Sequence, residues 1–228
     1  MTRVIVLGNG KREGVIAAAE QIMPFIKQDC RVVLTDLFAE HDLAGTEADL
    51  VLVLGGDGAI LRAARQMGYR QRPVLGVNLG RLGFLADLSC EELRTFFPRV
   101  VNGEYRVTEH LMFECLVHRP GDPQPDPPRL GLNEIAVQTG PPFHMLELDL
   151  LVDGQEAVPL SVGTTLTLRR APVTFRLARA AGRSFYRTLN DKLHWGRPPS
   201  YRPEQDEACE RKPEGRRTED GGRRKEEE

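Results

Sequence analysis

The chain has 228 residues, 40% of them hydrophobic, and a formal net charge of −2. That length suffices for one large domain or two small ones, and the composition is that of a globular protein. The charge balance argues against nucleic acid or an anionic membrane as a partner, and no apolar run reaches the length of a membrane span.

The N-terminus begins as a strand, Arg3 to Leu7, without a signal-peptide pattern. The turn Gly8-Asn9-Gly10-Lys11-Arg12-Glu13-Gly14 follows. A helix pattern comes next, with Val15, Ala19, Ile22 and Ile26 on one face and Pro24 expected to kink or shorten it. Arg31 to Thr35 reads as a second strand ending at Asp36. Leu50 to Leu54 is a third, a continuous apolar run of the kind buried in parallel sheets. It enters Gly55-Gly56-Asp57-Gly58, and Ile60, Ala63, Ala64 and Met67 then share a helical face. Pro73 to Val77 is a fourth strand, and Glu91 to Val101 reads as a helix. Strands alternating with helices at this spacing predict a Rossmann-like α/β parallel sheet over residues 1–103.

The character changes near Gly103. Tyr105 to His118, Leu132 to Thr139, Met145 to Val152, Thr164 to Arg169 and Val173 to Leu177 read as strands, with a Pro/Asp-rich loop over Pro120 to Pro128. They predict a β-rich second domain over residues 104–197, closed by a docking helix from Arg183 to Trp195. From Pro198 to residue 228 the chain is mostly Pro, Gly and charge, which predicts a disordered tail. Cys30, Cys90, Cys115 and Cys209 are scattered and form no Cys-x-x-Cys. They read as reduced thiols of a cytoplasmic protein, not as a zinc site or disulfide frame.

Three glycine-rich turns carry candidate chemistry. Gly8-x-Gly10-x-x-x-Gly14 follows a strand and opens a helix, and Asp36 ends the next strand, where a ribose-binding acid belongs in a dinucleotide site. The spacing is one residue off that fingerprint, and such turns also occur without a cofactor. Gly55-Gly56-Asp57-Gly58 holds a carboxylate at a strand end beside backbone N–H groups suited to phosphate. The alternative is a tight turn with Asp57 capping the next helix. Asn78-x-Gly80-x-x-Gly83 follows the next strand and should lie on the same carboxyl edge, as a ligand-facing turn or as plain turn geometry. Asn133 and Glu134 interrupt the apolar pattern LGLNEIAV, as substrate-binding groups or as a strand end or bulge. His144 is a lone histidine entering a strand.

The runs LGGDGAILRAAR, GVNLGRLGFL and LNEIAV, in that order, resemble the ATP/polyphosphate-dependent NAD kinase family. Asp153 to Gln155 and SFYRTLNDKLHWG resemble the C-terminal part of the same family, so the resemblance covers about residues 1–197. It implies transfer of the γ-phosphoryl of ATP, or of polyphosphate, to the 2′-hydroxyl of NAD, giving NADP. Asp57 takes the family's proton-acceptor position. Gly58 and Arg62 match positions lining the nucleotide site, Asn133 and Glu134 match the pair holding the NAD ribose, and His144 and Gln155 match further substrate contacts. The resemblance also implies a Rossmann-like domain followed by a β-sandwich-like domain, usually in a homo-oligomer, with Mg²⁺ accompanying ATP. The sequence has no dedicated metal-ligand cluster, so the ion would be held largely by nucleotide phosphates.

One departure stands out. The family continues from this region through Asp-Gly-Leu and Thr-Pro-Thr-Gly-Ser-Thr-Ala-Tyr to a Ser-Ala-Gly-Gly-Pro turn. This chain has none of these and passes from LELDLLVDGQEAVPLSVG straight to the closing strands. The second domain is therefore expected to be shortened. A truncated, non-catalytic relative that binds nucleotide or a partner subunit is the alternative to an active kinase, and an oxidoreductase using the Gly8 turn is the third reading.

Overall fold

The computed structural model describes residues 1–80, 83–86, 88–139, 148–154 and 156–180. Four strands form its centre: β1 (Arg3–Gly8), β2 (Arg31–Asp36), β3 (Leu50–Leu54) and β4 (Pro73–Val77). They lie side by side in the order β2-β1-β3-β4, all parallel. Every residue of β3 and β4 is buried, as continuous apolar runs covered on both faces require.

Three helices supply that cover. Helices α1 (Val15–Asp29) and α3 (Cys90–Val101) pack on one face, with Ile22, Ile26, Leu93 and Phe97 against Val4, Leu52 and Leu75. Helix α2 (Asp57–Met67) packs on the other, with Ile60, Ala63, Ala64 and Met67 against Val51, Val53 and Val74. Each large apolar side chain fully buried this way contributes about 1.5–3 kcal/mol. The buried faces of α1 and α2 are the ones their periodicity predicts. Pro24 neither shortens nor splits α1. It lies on the exposed face, as does Glu20, whose carbonyl loses its helical donor there and can turn to water. Helix α3 begins one residue earlier than expected because Ser89 and Glu92 form a reciprocal capping box.

The chain leaves this layer through Gly103, and the sheet continues across that point. Strand β5 (Tyr105–His118) and the short β6 (Arg129–Gly131) extend it, antiparallel. Strand β10 (Thr165–Ala180) inserts between β4 and β5, parallel to the first and antiparallel to the second. The two strands expected over Thr164–Arg169 and Val173–Leu177 are thus one. A bulge between Arg170 and Thr174 accommodates Pro172, which has no N–H to give the ladder. Strands β7 (Ile135–Thr139), β8 (Leu148–Val152) and β9 (Glu156–Leu160) form a separate antiparallel sheet. It packs through Leu150 and Val158 onto Cys115 and Val117 of β5. The architecture is α/β with a mixed sheet. The helix expected over Arg183–Trp195, the tail from Pro198, and residues His144 and Gln155 lie outside the described residues.

Candidate active site

Chain order reverses direction between β1 and β3, and α1 and α2 leave on opposite faces there. Such a switch point opens a crevice at the carboxyl ends of the strands. A cleft of about 650 Å³ lies at this place. The β3 turn lines it with Gly55, Gly56, Gly58 and Ala59, the β4 turn with Leu79 and Gly80, and the β1 turn with Asn9, Arg12 and Glu13. Arg62 forms part of its wall. The glycine turns after β3 and β4 therefore share one edge, as their spacing implies. Asn78 lies in the adjoining groove, which shares Leu79 and Gly80 with the cleft. Its Oδ1 accepts from Gly80 N at 3.0 Å and fixes that turn.

Asp57 is the first residue of α2, half-buried, and does not cap its own helix. The N-cap is Gly56, with no side-chain cap. The Asp57 carboxylate instead reaches the loop after β4. Oδ2 accepts from Phe84 N at 2.9 Å, and Oδ1 accepts from Leu85 N at 2.9 Å and Ala86 N at 3.2 Å. Gly83 is glycine because of this contact, since a Cβ there would stand 2.0 Å from Asp57 Oδ1. The second glycine turn thus holds the aspartate of the first.

Arg62 lies one turn and a half along α2. Its Nη2 donates to the carbonyl of Gly8 and, at 3.5 Å, to that of Leu37. These bonds tie the carboxyl ends of β1 and β2 to the helix and leave a guanidinium in the cleft wall. Burial pulls that guanidinium below its usual range, and the charge of Asp36 offsets part of the effect.

The dinucleotide reading of the Gly8 turn is not what these residues do. A Cβ on Gly10 would stand 2.6 Å from the Phe38 ring, and one on Gly8 would stand 2.9 Å from Val15. Those glycines admit neighbouring side chains of the protein itself. Asp36 is turned into its own loop and accepts from Phe38 N, Glu40 N, His41 N and the Gln66 amide at 2.8–3.2 Å. Burial alone would raise its carboxyl, but these donors prevail and hold it at about 2.

Asn133 and Glu134 do not sit within a strand. They form an exposed turn between β6 and β7, because Asp153 draws the backbone out of the ladder. Asp153 Oδ1 accepts from Leu132 N at 3.0 Å, Asn133 N at 2.7 Å and Glu134 N at 3.2 Å. Both polar side chains are left facing outward, and neither lines the cleft. Asn9, Arg12 and Glu13 as cleft residues and Asp153 as a clamp are not among the residues the sequence motifs single out. The first were legible as the turn after a parallel strand next to β3. The second had no local signal, since its partners are 19–21 residues away.

With this geometry in view, residues 11–105 match the model of the ATP-NAD kinase N-terminal domain. The chain resembles the NAD kinase family. The NAD kinase of Rhodopirellula baltica is 42% identical over 155 residues, covering 68% of this chain and 49% of the relative. That of Geotalea daltonii is 39% identical over 117 residues, covering 51% and 40%. The chain therefore spans half or less of the length of these curated relatives. Among solved structures, yeast NADH kinase complexed with NADH has a TM-score of 0.63 at 13% identity, covering 90% of each chain. An NAD kinase from Archaeoglobus fulgidus in complex with ATP has a TM-score of 0.53 at 17% identity, covering 84% and 98%. At those identities the likeness shows the fold. Among the described residues, no helix is long and apolar enough to cross a membrane.

Proposed function

We propose that the chain is an NAD kinase, transferring the γ-phosphoryl of ATP, or of polyphosphate, to the 2′-hydroxyl of NAD. One observation carries the reading most. A carboxylate has about four acceptor positions. The loop after β4 takes two on Asp57 Oδ1 and one on Oδ2. The carboxylate is therefore fixed in position and half exposed, and among the described residues one acceptor position on Oδ2 is left for a substrate hydroxyl.

The step balances simply. The 2′-oxygen attacks the γ-phosphorus, the bond from that phosphorus to the β–γ bridging oxygen breaks, and ADP leaves. The hydroxyl proton passes to Asp57. A 2′-hydroxyl is a weak nucleophile, and a positioned base contributes 10²- to 10⁴-fold. The rest of the catalysis is positioning and charge stabilisation. Gly56 and Gly58, both exposed, bring the start of α2 to the cleft, and Arg62 adds a positive wall. Asn133 and Glu134 present exposed side chains suited to ribose hydroxyls. Among the described residues there is no group of three or more His, Cys, Asp or Glu able to hold a metal ion. Magnesium belongs in this reading to the substrate, as MgATP.

On the same reading residues 1–103 are a Rossmann-like nucleotide unit, and residues 104–197 are a shortened β-sandwich-like unit of a cytoplasmic homo-oligomer. The test is NADP formation from NAD and MgATP, followed with an NADP-specific dehydrogenase, for the chain and for Asp57→Asn. Turnover by the chain that is lost in the variant supports the assignment. Equal turnover by both would remove Asp57 from the chemistry, and binding of neither nucleotide would sink the reading as a whole.

A further inference from the structure

We infer that Asp153 is a positioning residue that sets the Asn133–Glu134 turn against the helix carrying Asp57, with Arg65 as the strut between them. The inference rests on the kinase reading and adds to it how the substrate turn is held.

Asp153 is 5% exposed and adopts φ of 51°, a conformation that favours glycine. Gly154, its neighbour in the turn after β8, also has positive φ, at 63°. Glycine at 153 would relieve the backbone, so the aspartate is there for its side chain. That side chain accepts from three consecutive N–H groups, those of Leu132, Asn133 and Glu134. The backbone closes the loop in return, with Asp153 N donating to Glu134 O at 2.9 Å. The other oxygen, Oδ2, shares the Leu132 N–H at 3.1 Å and faces α2. Arg65 Nη1 stands 3.4 Å from Asp153 Oδ2 and 3.4 Å from Val152 O. Arg65 is eight residues after Asp57 on the same helix, about 12 Å along its axis.

A continuous chain of contacts thus runs from the Asn133–Glu134 turn through Asp153 and Arg65 to α2, and from α2 through Asp57 to the Phe84–Ala86 loop. The candidate ribose-binding pair lies at one end, and the candidate base lies near the other, just before the Phe84–Ala86 loop. Apolar packing of Leu130 and Leu132 in the α2 cluster brings the turn to the helix, and one buried carboxylate with one guanidinium, 18% exposed in its side chain, fixes its orientation. Misplacement of reacting groups by 1 Å can cost about 10²-fold in rate. Removing the strut should therefore act on catalysis more than on folding.

Three variants of the full chain test this. Asp153→Gly removes the clamp while relieving the backbone. Asp153→Asn tolerates positive φ and keeps the oxygen nearest Asn133. Arg65→Met cuts the strut and leaves the clamp. Asp153→Gly should raise amide exchange at Leu132, Asn133 and Glu134 at least tenfold with the fold retained. It should weaken NAD binding tenfold or more by titration calorimetry, with ATP affinity within twofold. Asp153→Asn should recover much of both. Arg65→Met should lower kcat about tenfold with KM for NAD nearly unchanged. If the chain binds NAD and Asp153→Gly binds it equally well, the inference is overturned while the kinase reading stands. If the chain binds no NAD, the kinase reading falls. Exchange at the three amides then decides the clamp, and unchanged protection in Asp153→Gly overturns it.

Discussion

Asp36 ends β2 and Asp57 opens the helix after β3, on either side of β1 in one sheet, and the two use the same device. Each carboxylate accepts from three backbone N–H groups of a loop, Asp36 from Phe38, Glu40 and His41, Asp57 from Phe84, Leu85 and Ala86. They differ in what is left over. Asp36 has a fourth donor in Gln66 and is 3% exposed, so its acceptor positions are filled from within. Asp57 keeps one position among the described residues and is only half-buried, between Gly56 and Gly58, which line the cleft while Asp57 itself does not. The first carboxylate is finished as structure, and the second is held in place but incomplete. Residue type and strand position make the two look alike, and only the count of donors separates them. That count reverses the expectation that Asp36 could serve a ribose.

The largest effect should come from Asp57→Asn. In our reading the amide cannot take a proton, so NADP formation should fall 10²- to 10⁴-fold. It also turns an NH₂ toward one of the loop's N–H donors, so some stability is lost, about 1–3 kcal/mol for a donor left unsatisfied. Turnover and urea melting measured together separate the two contributions. A loss of stability with no loss of turnover per folded molecule would make Asp57 a second Asp36.

Gly83→Ala sharpens the same point without touching a reactive group. The added methyl would stand 2.0 Å from Asp57 Oδ1, so the carboxylate must leave its three donors. Turnover should drop roughly 10²-fold, as expected for displacement of a catalytic group by about 1 Å. The matching control is Gly10→Ala, whose methyl meets the Phe38 ring first, at 2.6 Å. It should cost stability and leave kcat per folded molecule within about twofold. Equal effects of the two variants on kcat would remove the distinction between the two turns.

Asn133→Ala combined with Glu134→Ala should be milder than either change at Asp57. Both side chains are exposed, and the clamp uses only their backbone. NAD affinity should fall about tenfold, near the 1.4 kcal/mol that corresponds to that factor. ATP affinity and melting should stay close to the parent. Equal loss for both nucleotides in calorimetry would argue against a ribose-holding role.

The fold around this contrast is largely legible in the sequence, and the reason is locality. The β3 and β4 runs and the faces Val15-Ala19-Ile22-Ile26 and Ile60-Ala63-Ala64-Met67 are written in contiguous residues, and each is buried as its pattern requires. What escaped depends on distant partners. Strand β10 takes its place between β4 and β5 by pairing Arg176 with Pro73 and Thr165 with His118, which no local pattern encodes. Strand β6 has three residues, too few for a period to appear. Asn133 and Glu134 looked like polar intrusions in a strand because Asp153, about 20 residues on, is what ends the ladder. Asp57 and Asp36 both stand out in the sequence, but their donors lie 27–29 residues away for the first and 2–30 for the second.

The smallest effect, and the one that isolates Asp36, is on pH dependence. Its folded-state value is held at about 2 against an ordinary 3.8. A depressed carboxyl stabilises the fold while it is ionised. The stabilisation is complete above about pH 5, declines as the unfolded chain begins to bind protons near 3.8, and is gone below about 2. The difference of nearly two pH units corresponds to about 2 kcal/mol at neutral pH. Asp36→Asn removes the titrating group and leaves an NH₂ facing N–H donors. At pH 7 it should melt about 4–8 °C below the parent, given about 2–4 °C per kcal/mol for a chain of this size. The gap should narrow steadily between pH 5 and pH 2, while turnover per folded molecule at pH 7 stays the same. A gap that is constant across that range would mean the Asp36 charge contributes nothing beyond its shape. A change in turnover would mean that the sealed carboxylate communicates with the open one through Gln66 and α2, and the two aspartates would no longer divide into structure and chemistry.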